Sequence, residues 1–307
     1  MGGSEMNRRD FIKKAGIGSA VVGFGSVPLH LFAANDFITI TILHTNDLHC
    51  HIEPFSGADE STSKKGGLAR ISELAKITRA SNPDTLLLDA GDMFQGTPYF
   101  NYFNGNLMLK LMSAAGYDAG TIGNHEFDNG LQGIIDPLPN AKFPLINSNY
   151  DFSDTILAGK FPKWKIFKRN GVKIGIYGLG IELKGLVADK NFGNTIYNDP
   201  VKVGVELEYF LKNEKKCDLV ICLSHLGLRY EDQKISDVLF AAETKYTDLI
   251  VGGHTHTYLE RPMFLKNKNG EQIIVNQAWW AGLVIGRIDF VLERQKNKKT
   301  AVYTAQL

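Results

Sequence analysis

The chain has 307 residues, and its 34 basic side chains nearly balance its 33 acidic ones, for a formal net charge of +1. Nucleic-acid-binding proteins usually carry a basic excess, so this balance argues against a nucleic-acid polymer as the partner. Hydrophobic residues make up 44% of the chain, which allows a sizeable core in one large domain or two small ones.

The first 34 residues have the layout of an export signal. A charged start at 7–14 is followed by an apolar run and then by small residues near Ala33. The pair Arg8-Arg9 resembles the twin-arginine type of signal. Because the apolar run is short and contains four glycines, it is a poor membrane span. We therefore expect residues 1–34 to be removed and the remaining chain to be periplasmic, with a basic disordered tail as the alternative.

Strand-like and helix-like segments alternate from residue 38 onward. Apolar or alternating runs predict strands at 38–43, 85–89, 119–122, 219–223, 249–251, 272–276, 283–292 and 300–304. Asn170-Gly171 predicts a hairpin turn between two further strands, 165–169 and 172–177. Apolar residues at helical spacing predict helices at 68–80 and 104–115. The N-cap and proline of Asp199-Pro200 predict a helix over 200–214, and a fourth helix is predicted at 231–246. The pattern indicates one compact α/β domain over 35–307, with mixed sheets.

Five clusters of His, Asp and Asn directly follow predicted strands. They cover 44–49, 89–92, 123–128, 224–225 and 252–256. Ligands of open α/β sheets bind at the carboxyl ends of the strands, so we expect these side chains to meet in one place. A lone His is more often a structural or surface residue, and we expect His44 to be structural and His51 to be exposed. Packing alone does not explain so many uncompensated Asp and His residues at strand ends.

The residue types in these clusters are those that bind borderline divalent metal ions. Neutral imidazole and carboxylate groups suit Zn, Mn, Fe and Co. In the pairs Asp47-x-His49 and His254-x-His256, both side chains leave an extended segment on the same side. Asn124 can add a neutral amide oxygen. Two cations about 3.5–4 Å apart need a bridging carboxylate and together hold the attacking and leaving oxygens of an in-line displacement.

The clusters also carry longer motifs. They read Thr-Asn-Asp-Leu-His at 45–49, Gly-Asp-Met-Phe-Gln-Gly-Thr at 91–97, Gly-Asn-His-Glu-Phe-Asp at 123–128, Ser-His at 224–225 and Gly-His-Thr-His at 253–256. From about residue 38 to about residue 290, the chain resembles the calcineurin-like metallophosphoesterases. Within them it resembles the bacterial 5′-nucleotidase and UDP-sugar hydrolase branch, which segments 66–70 and 147–149 match too. The resemblance implies a four-layer α-β-β-α sandwich with two mixed sheets.

The same resemblance implies two divalent metal ions and their ligands. It assigns the first ion to Asp47, His49, Asp92 and His256, and the second ion to Asp92, Asn124, His225 and His254, with Asp92 as the bridge. The identity of the ions is left open among Mn, Zn, Co and Fe. In some relatives Gln takes the place of His256, so this ligand is the most variable one.

The implied reaction is the hydrolysis of a phosphate ester. A hydroxide held by the metal ions attacks phosphorus, because metal binding lowers the pKa of water toward about 7. His125 stabilises the transferring phosphoryl group or protonates the leaving oxygen, and Asp128 orients its ring. Asn124 and His125 are the implied substrate contacts, and no covalent phospho-enzyme is expected.

These features predict an exported 5′-nucleotidase-like phosphomonoesterase that acts on a small phosphorylated substrate, with a nucleotide as the leading candidate. In the branch that the chain resembles, a second, C-terminal domain binds the base, and we expect that domain to be absent here. One alternative is a cyclic-nucleotide or diphosphate phosphodiesterase, or a sulfur-oxidation hydrolase, with the same core. Another is a catalytic subunit that needs a separate specificity chain. Trp279-Trp280 could stack a base, although such a pair is more often core or interface.

Overall fold

Thirteen strands and seven α-helices make up the part of the chain that a computed structural model describes, residues 37–57, 62–293 and 298–303. The predicted export signal, residues 1–34, lies outside the described residues. The strands in chain order are β1 (Phe37–Thr45), β2 (Thr85–Asp89), β3 (Ala119–Gly120), β4 (Tyr150–Asp151), β5 (Trp164–Arg169), β6 (Val172–Gly180), β7 (Ile196–Tyr197), β8 (Leu219–His225), β9 (Leu249–Gly252), β10 (Met263–Lys266), β11 (Gln272–Gln277), β12 (Gly286–Glu293) and β13 (Lys298–Tyr303). The helices are α1 (Leu68–Ser81), α2 (Pro98–Phe103), α3 (Asn106–Ala115), α4 (Gly130–Ile135), α5 (Asp189–Phe192), α6 (Pro200–Tyr209) and α7 (Asp237–Glu243). Each helix in these ranges is too short or too polar to cross a membrane.

Two mixed sheets lie at the centre of the fold. The first has the strand order β13-β12-β1-β2-β3, in which β1, β2 and β3 are parallel while β12 and β13 pair in antiparallel fashion. The second has the order β10-β11-β9-β8-β6-β5, with a parallel centre and an antiparallel strand at each edge. The predicted pair of mixed sheets is therefore confirmed. Strands β4 and β7 add a small separate sheet that was not predicted.

Successive side chains of a strand pack into different hydrophobic cores on the two faces of its sheet. In β1, Ile40 and Ile42 face the second sheet, whereas Leu43 packs with residues of α1 and α3. In β8, Ile221 faces the first sheet, whereas Cys222 packs with residues of α7. Because successive side chains of a strand point to opposite faces, strands that are covered on both faces are apolar throughout. The layers therefore follow the predicted order of helix, sheet, sheet and helix.

The helices and edge strands depart most from the prediction. The predicted helix 104–115 begins two residues later as α3, because Asn104 has a positive φ of 49° and separates it from α2. The predicted helix 231–246 shrinks to α7, which begins after Ser236. The Ser236 side chain accepts a hydrogen bond from the backbone N–H of Leu239, as a preferred N-cap residue does. Strand β10 was missed because it is a short edge strand with alternating exposure.

The ends of five strands bring the predicted clusters together. Strands β1, β2 and β3 contribute from the first sheet, and β8 and β9 from the second. The loop after β2 meets the end of β8, since Nε2 of His225 lies 2.9 Å from Oδ2 of Asp92. The clusters therefore meet between two sheets rather than at the edge of a single sheet.

Candidate metal centre

Two adjacent groups of Asp and His side chains lie where the two sheets meet. The first group contains Asp47, His49 and His256, and the second contains Asp92, His225 and His254. Within each group, the possible ligand atoms all lie within 4.8 Å of one another. The groups adjoin, since Nε2 of His225 lies 3.9 Å from Oδ1 of Asp47. These groups contain every predicted ligand other than Asn124, which contacts His254.

Most of these side chains leave the backbone from an unfavourable conformation. Positive φ angles between 47° and 73° occur at Asp47, His49, Asp92, His254 and His256. The left-handed region costs a residue with a Cβ about 1–2 kcal/mol, and residues held there concentrate at functional sites. Each of these turns follows a buried strand, so packing of the two sheets holds the strained turns in place.

In the first group, the lone pairs of nitrogen and oxygen atoms converge. Nε2 of His49 lies 3.0 Å from Nε2 of His256, which in turn lies 3.4 Å from Oδ1 of Asp47. The backbone N–H of His254 donates to the carboxylate of Asp47 at 3.0 Å and so fixes its orientation. Nδ1 of His49 donates to the backbone carbonyl of Phe94 at 3.2 Å, which leaves Nε2 available to a cation.

In the second group, a backbone hydrogen bond sets the ring orientation of His225. Its Nδ1 donates to the carbonyl oxygen of Ala90 at 2.7 Å, so Nε2 carries the lone pair of the neutral ring. Nε2 faces Oδ2 of Asp92 at 2.9 Å, yet it makes no hydrogen bond with the described residues. Burial lowers the pKa of His225, but Asp92 outweighs burial and raises the pKa to about 10. In the neutral ring, the lone pair of Nε2 thus faces the carboxylate of Asp92, and a cation between the two groups would satisfy both.

These donors fit divalent cations. Metal–nitrogen bonds of about 2.0–2.1 Å bring neighbouring ligand atoms to roughly 3 Å from one another, which is the spacing of His49 and His256. Nδ1 of His254 lies 2.8 Å from Oδ1 of Asn124. Burial, followed by the charge of His225, lowers the pKa of His254 to about 4, so its ring is neutral, as a metal ligand must be. This geometry is compatible with both implied ligand sets, which stay predictions.

His125 and Asp128 lie beside the two groups. Nδ1 of His125 lies 2.8 Å from Oδ2 of Asp128, and its ring centroid is 5.2 Å from that of His49. The backbone N–H of His125 donates to Oδ1 of Asp92 at 2.8 Å, which joins the pair to the second group. The hydrogen bond to Asp128 raises the pKa of His125 to about 9, against the opposing effect of burial. The ring is only half-buried, so it stays accessible to a ligand.

Glu126 is a buried carboxylate to which the motif analysis assigned no role. Its Oε1 accepts hydrogen bonds from the backbone N–H groups of Met93 (2.8 Å) and Phe94 (3.1 Å). Its Oε2 accepts from the backbone N–H groups of Asp92 (3.1 Å) and Gly123 (2.6 Å). Burial, with the nearby charge of Asp92, raises the pKa of Glu126 to about 7. Glu126 therefore fixes the loop after β2 against its own loop, and its place inside the 123–128 motif was the available signal.

Aromatic side chains border the first group. Trp280 stacks on His256, with the ring centroids 5.8 Å apart and the planes at 3° to each other. The prediction that His51 is exposed is wrong, because its side chain is half-buried. It stacks on Phe55 at 5.0 Å and meets Trp280 edge-on at 5.1 Å. His44 is fully buried within β1, as expected of a structural residue.

Comparison with known proteins places this site in a family. Residues 40–258 match the profile of the calcineurin-like phosphoesterases. The chain belongs to the calcineurin-like phosphoesterase family. Family members use two divalent metal ions, and two ligand groups are present among the described residues here.

Several relatives of the chain are 5′-nucleotidases. The chain is similar to snake venom 5′-nucleotidase from Gloydius brevicauda, at 34% identity over 86% of this chain and 47% of the relative. It is similar to the structure of a 5′-nucleotidase precursor from Thermus thermophilus, at 32% identity and a TM-score of 0.75, over 87% of this chain and 55% of that one. The structure of NAD nucleotidase from Haemophilus influenzae is similar at 25% identity and a TM-score of 0.74, over 88% of this chain and 50% of that one. The chain thus spans about half the length of the curated relatives it matches.

Proposed function

We propose that this chain is a metal-dependent phosphomonoesterase that releases inorganic phosphate from a 5′-nucleotide. The observation that carries the proposal is the juxtaposition of two metal-ligand groups with the His125–Asp128 pair. Relatives named 5′-nucleotidase, at 34% and 32% identity, support a phosphate monoester as the substrate class.

Seven side chains would hold the two ions. We assign Asp47, His49, Asp92 and His256 to the first ion, and Asp92, Asn124, His225 and His254 to the second. When bound, the two ions polarise the phosphoryl oxygens and activate the attacking water. The backbone bonds at Nδ1 of His49 and His225 keep the opposite ring nitrogens directed at the site.

His125 would act on the phosphoryl group or on the leaving oxygen. Asp128 accepts the hydrogen bond from Nδ1 and orients the ring, so that Nε2 carries the second proton of the imidazolium. Because the pKa of His125 is raised to about 9, this proton is present at neutral pH. It can neutralise developing charge on a phosphoryl oxygen or pass to the leaving oxygen. Asn124, the preceding residue, would contact the same phosphate.

The proposal extends to the organisation of the chain. Residues 35–307 would form the catalytic domain, and residues 1–34 would direct it to the periplasm. A separate chain that recognises the base stays a prediction. Replacement of Arg8-Arg9 by Lys-Lys should block export, and unchanged export would contradict a twin-arginine signal.

A second candidate is cleavage of the diphosphate bridge of a dinucleotide. The similarity to NAD nucleotidase favours it, because that structure matches over 88% of this chain. The two candidates differ in the bond that is broken and hence in the product. Hydrolysis of a monoester releases inorganic phosphate, whereas cleavage of NAD between its phosphates leaves two mononucleotides.

Phosphate release by the full chain, loaded with Mn, Co or Zn, tests the proposal. We expect AMP to be hydrolysed faster than p-nitrophenyl phosphate, UDP-glucose, cyclic AMP and NAD. The matched variant is H125A, which should retain both metal ions by elemental analysis and release phosphate about 100-fold more slowly. No phosphate from any nucleotide or generic ester, with any of the three metals, contradicts the proposal. Mononucleotides from NAD without release of phosphate favour the second candidate.

A further inference from the structure

His256 is held differently from the other histidines of the two groups. Its side chain is 40% exposed, whereas that of His225 is fully buried. Nδ1 of His225 and Nδ1 of His49 each donate to a backbone carbonyl. Within the described part of the chain, Nδ1 of His256 has no such bond, and its Nε2 lies 3.0 Å from Nε2 of His49 and 3.4 Å from Oδ1 of Asp47. Metal-binding histidines usually have their second nitrogen fixed by a carbonyl, a carboxylate or water, and a packing contact is another way in which the protein can orient this ring.

The ring of Trp280 supplies that contact. It lies parallel to the imidazole of His256, with a centroid separation of 5.8 Å, which is the offset-stacked arrangement that aromatic pairs favour. Two side chains meet Trp280 edge-on: His51 at 5.1 Å and Phe55 at 5.8 Å. Because these contacts fix the indole from other directions, the indole can restrain the imidazole it stacks on.

The turn that carries Trp280 is bonded directly to the first ligand group. Asn46 accepts a hydrogen bond from the backbone N–H of Ala278 at 2.7 Å and donates through Nδ2 to the carbonyl oxygen of Trp279 at 2.5 Å. The backbone N–H of Ala281 donates to the carbonyl oxygen of Asp47 at 2.7 Å. The same Nδ2 of Asn46 also reaches Oδ2 of Asp47 at 2.6 Å. The turn and the metal ligand therefore have a fixed relative position.

We propose that Trp280 is a positioning residue of the first ligand group, which orients His256 for metal binding in place of a hydrogen bond. This inference rests on the proposed metal-dependent function. Loss of a contact that orients a metal ligand typically lowers metal affinity by about 10–100-fold. The effect should be confined to the ion that His256 binds, because Trp280 has no ring contact with His225 or His254.

Cobalt titration of the full chain, stripped of metal with a chelator, tests the proposal by calorimetry and visible absorption. We expect two binding steps in the natural chain, one of which is lost in H256A. In W280L that same step should weaken by about tenfold, while the other step stays within about twofold. W280F keeps an aromatic ring and should restore most of the affinity. The matched control is W279L, since Trp279 packs on Tyr258 and not on a ligand.

Tryptophan fluorescence identifies which binding step belongs to the ion beside Trp280. Cobalt bound at His256 should quench Trp280, so W280F should lose the quenching that accompanies the affected step, and W279F should retain it. If W280L does not fold by circular dichroism, W280M provides a second variant without a ring, whose longer and more flexible side chain can fill the space differently.

The outcomes separate this inference from the proposed function. Two binding steps with natural affinity in folded W280L or W280M overturn the inference alone. No binding of cobalt to the natural chain overturns both. Two bound ions with the predicted effect of W280L, but no release of phosphate from any ester, support the inference and contradict the phosphoesterase proposal.

Discussion

The two ligand groups draw on both sheets, yet the fold holds them in different ways. In the second group, His225 is fully buried and hydrogen-bonded to a backbone carbonyl, and Glu126 fixes the turn that carries Asp92. In the first group, 40% of the His256 side chain is exposed, and its ring rests on Trp280. The comparison indicates that packing of the sheets builds one cation site, whereas contacts near the surface complete the other. Substitutions in the second group should therefore lower metal affinity and phosphate release by a larger factor than substitutions in the first group.

The largest effect is expected from Asp92 of the second group. D92N removes the carboxylate that faces His225 and that the resemblance assigns to both ions. We expect phosphate release to fall on the order of 1,000-fold, since several kcal/mol of charge stabilisation are lost. Elemental analysis should show fewer than two ions per chain. The control is D136N, which changes an exposed carboxylate after α4. Normal activity of D92N would contradict the assignment of Asp92 as the ligand that both ions share.

Matched His-to-Gln substitutions compare the two groups directly. H225Q places an amide in a fully buried position and removes the donor to Ala90, so we expect the cobalt affinity of one step to fall by about 100-fold or more. H256Q changes an exposed ligand whose surroundings can adjust, and we expect a loss of about tenfold in the other step. Calorimetry measures both. Equal losses would mean that burial does not distinguish the two sites.

His125 should separate catalysis from metal binding. H125A removes the protonated ring that Asp128 orients, and we expect the rate of phosphate release to fall by about 100-fold, the usual scale for an acid–base group. D128N should cause a smaller loss, because the ring remains while its orientation relaxes. Both variants should bind two cobalt ions with natural affinity. Weakened cobalt binding by H125A would instead indicate a structural role.

Substitution of Glu126 tests whether the backbone around the second group is held in place by this carboxylate. In E126Q, one side-chain oxygen becomes an amide donor, so two of the four backbone N–H groups lose their acceptor. Each unsatisfied buried donor costs about 1–3 kcal/mol, so for two donors we expect a decrease of about 2–6 kcal/mol in the free energy of unfolding. Denaturant unfolding of the metal-free chain measures it. The control is E206Q, an exposed residue of α6, and an unchanged stability of E126Q would contradict the role given to this carboxylate.

Much of the fold follows from local patterns in the sequence. The run 85–89 is β2 as predicted, and Asn170-Gly171 joins β5 to β6, because buried strands and tight turns depend on residues close in sequence. The predicted helix 231–246 is too long, because Ser236 caps the N-terminus of α7 and the helix ends at Glu243. Strand β10 was not predicted, because a short edge strand with alternating exposure has little apolar signal.

The sequence by itself determined which side chains could bind metal, since Asp, His and Asn after buried strands have both the right chemistry and the right location. Only the tertiary structure decided how those side chains are held. Asn46 and Ala278 are 232 positions apart, and the stack of Trp280 on His256 forms across two separate loops. Periodicity and turn preference act over a few residues, whereas these contacts exist only once two sheets have packed face to face.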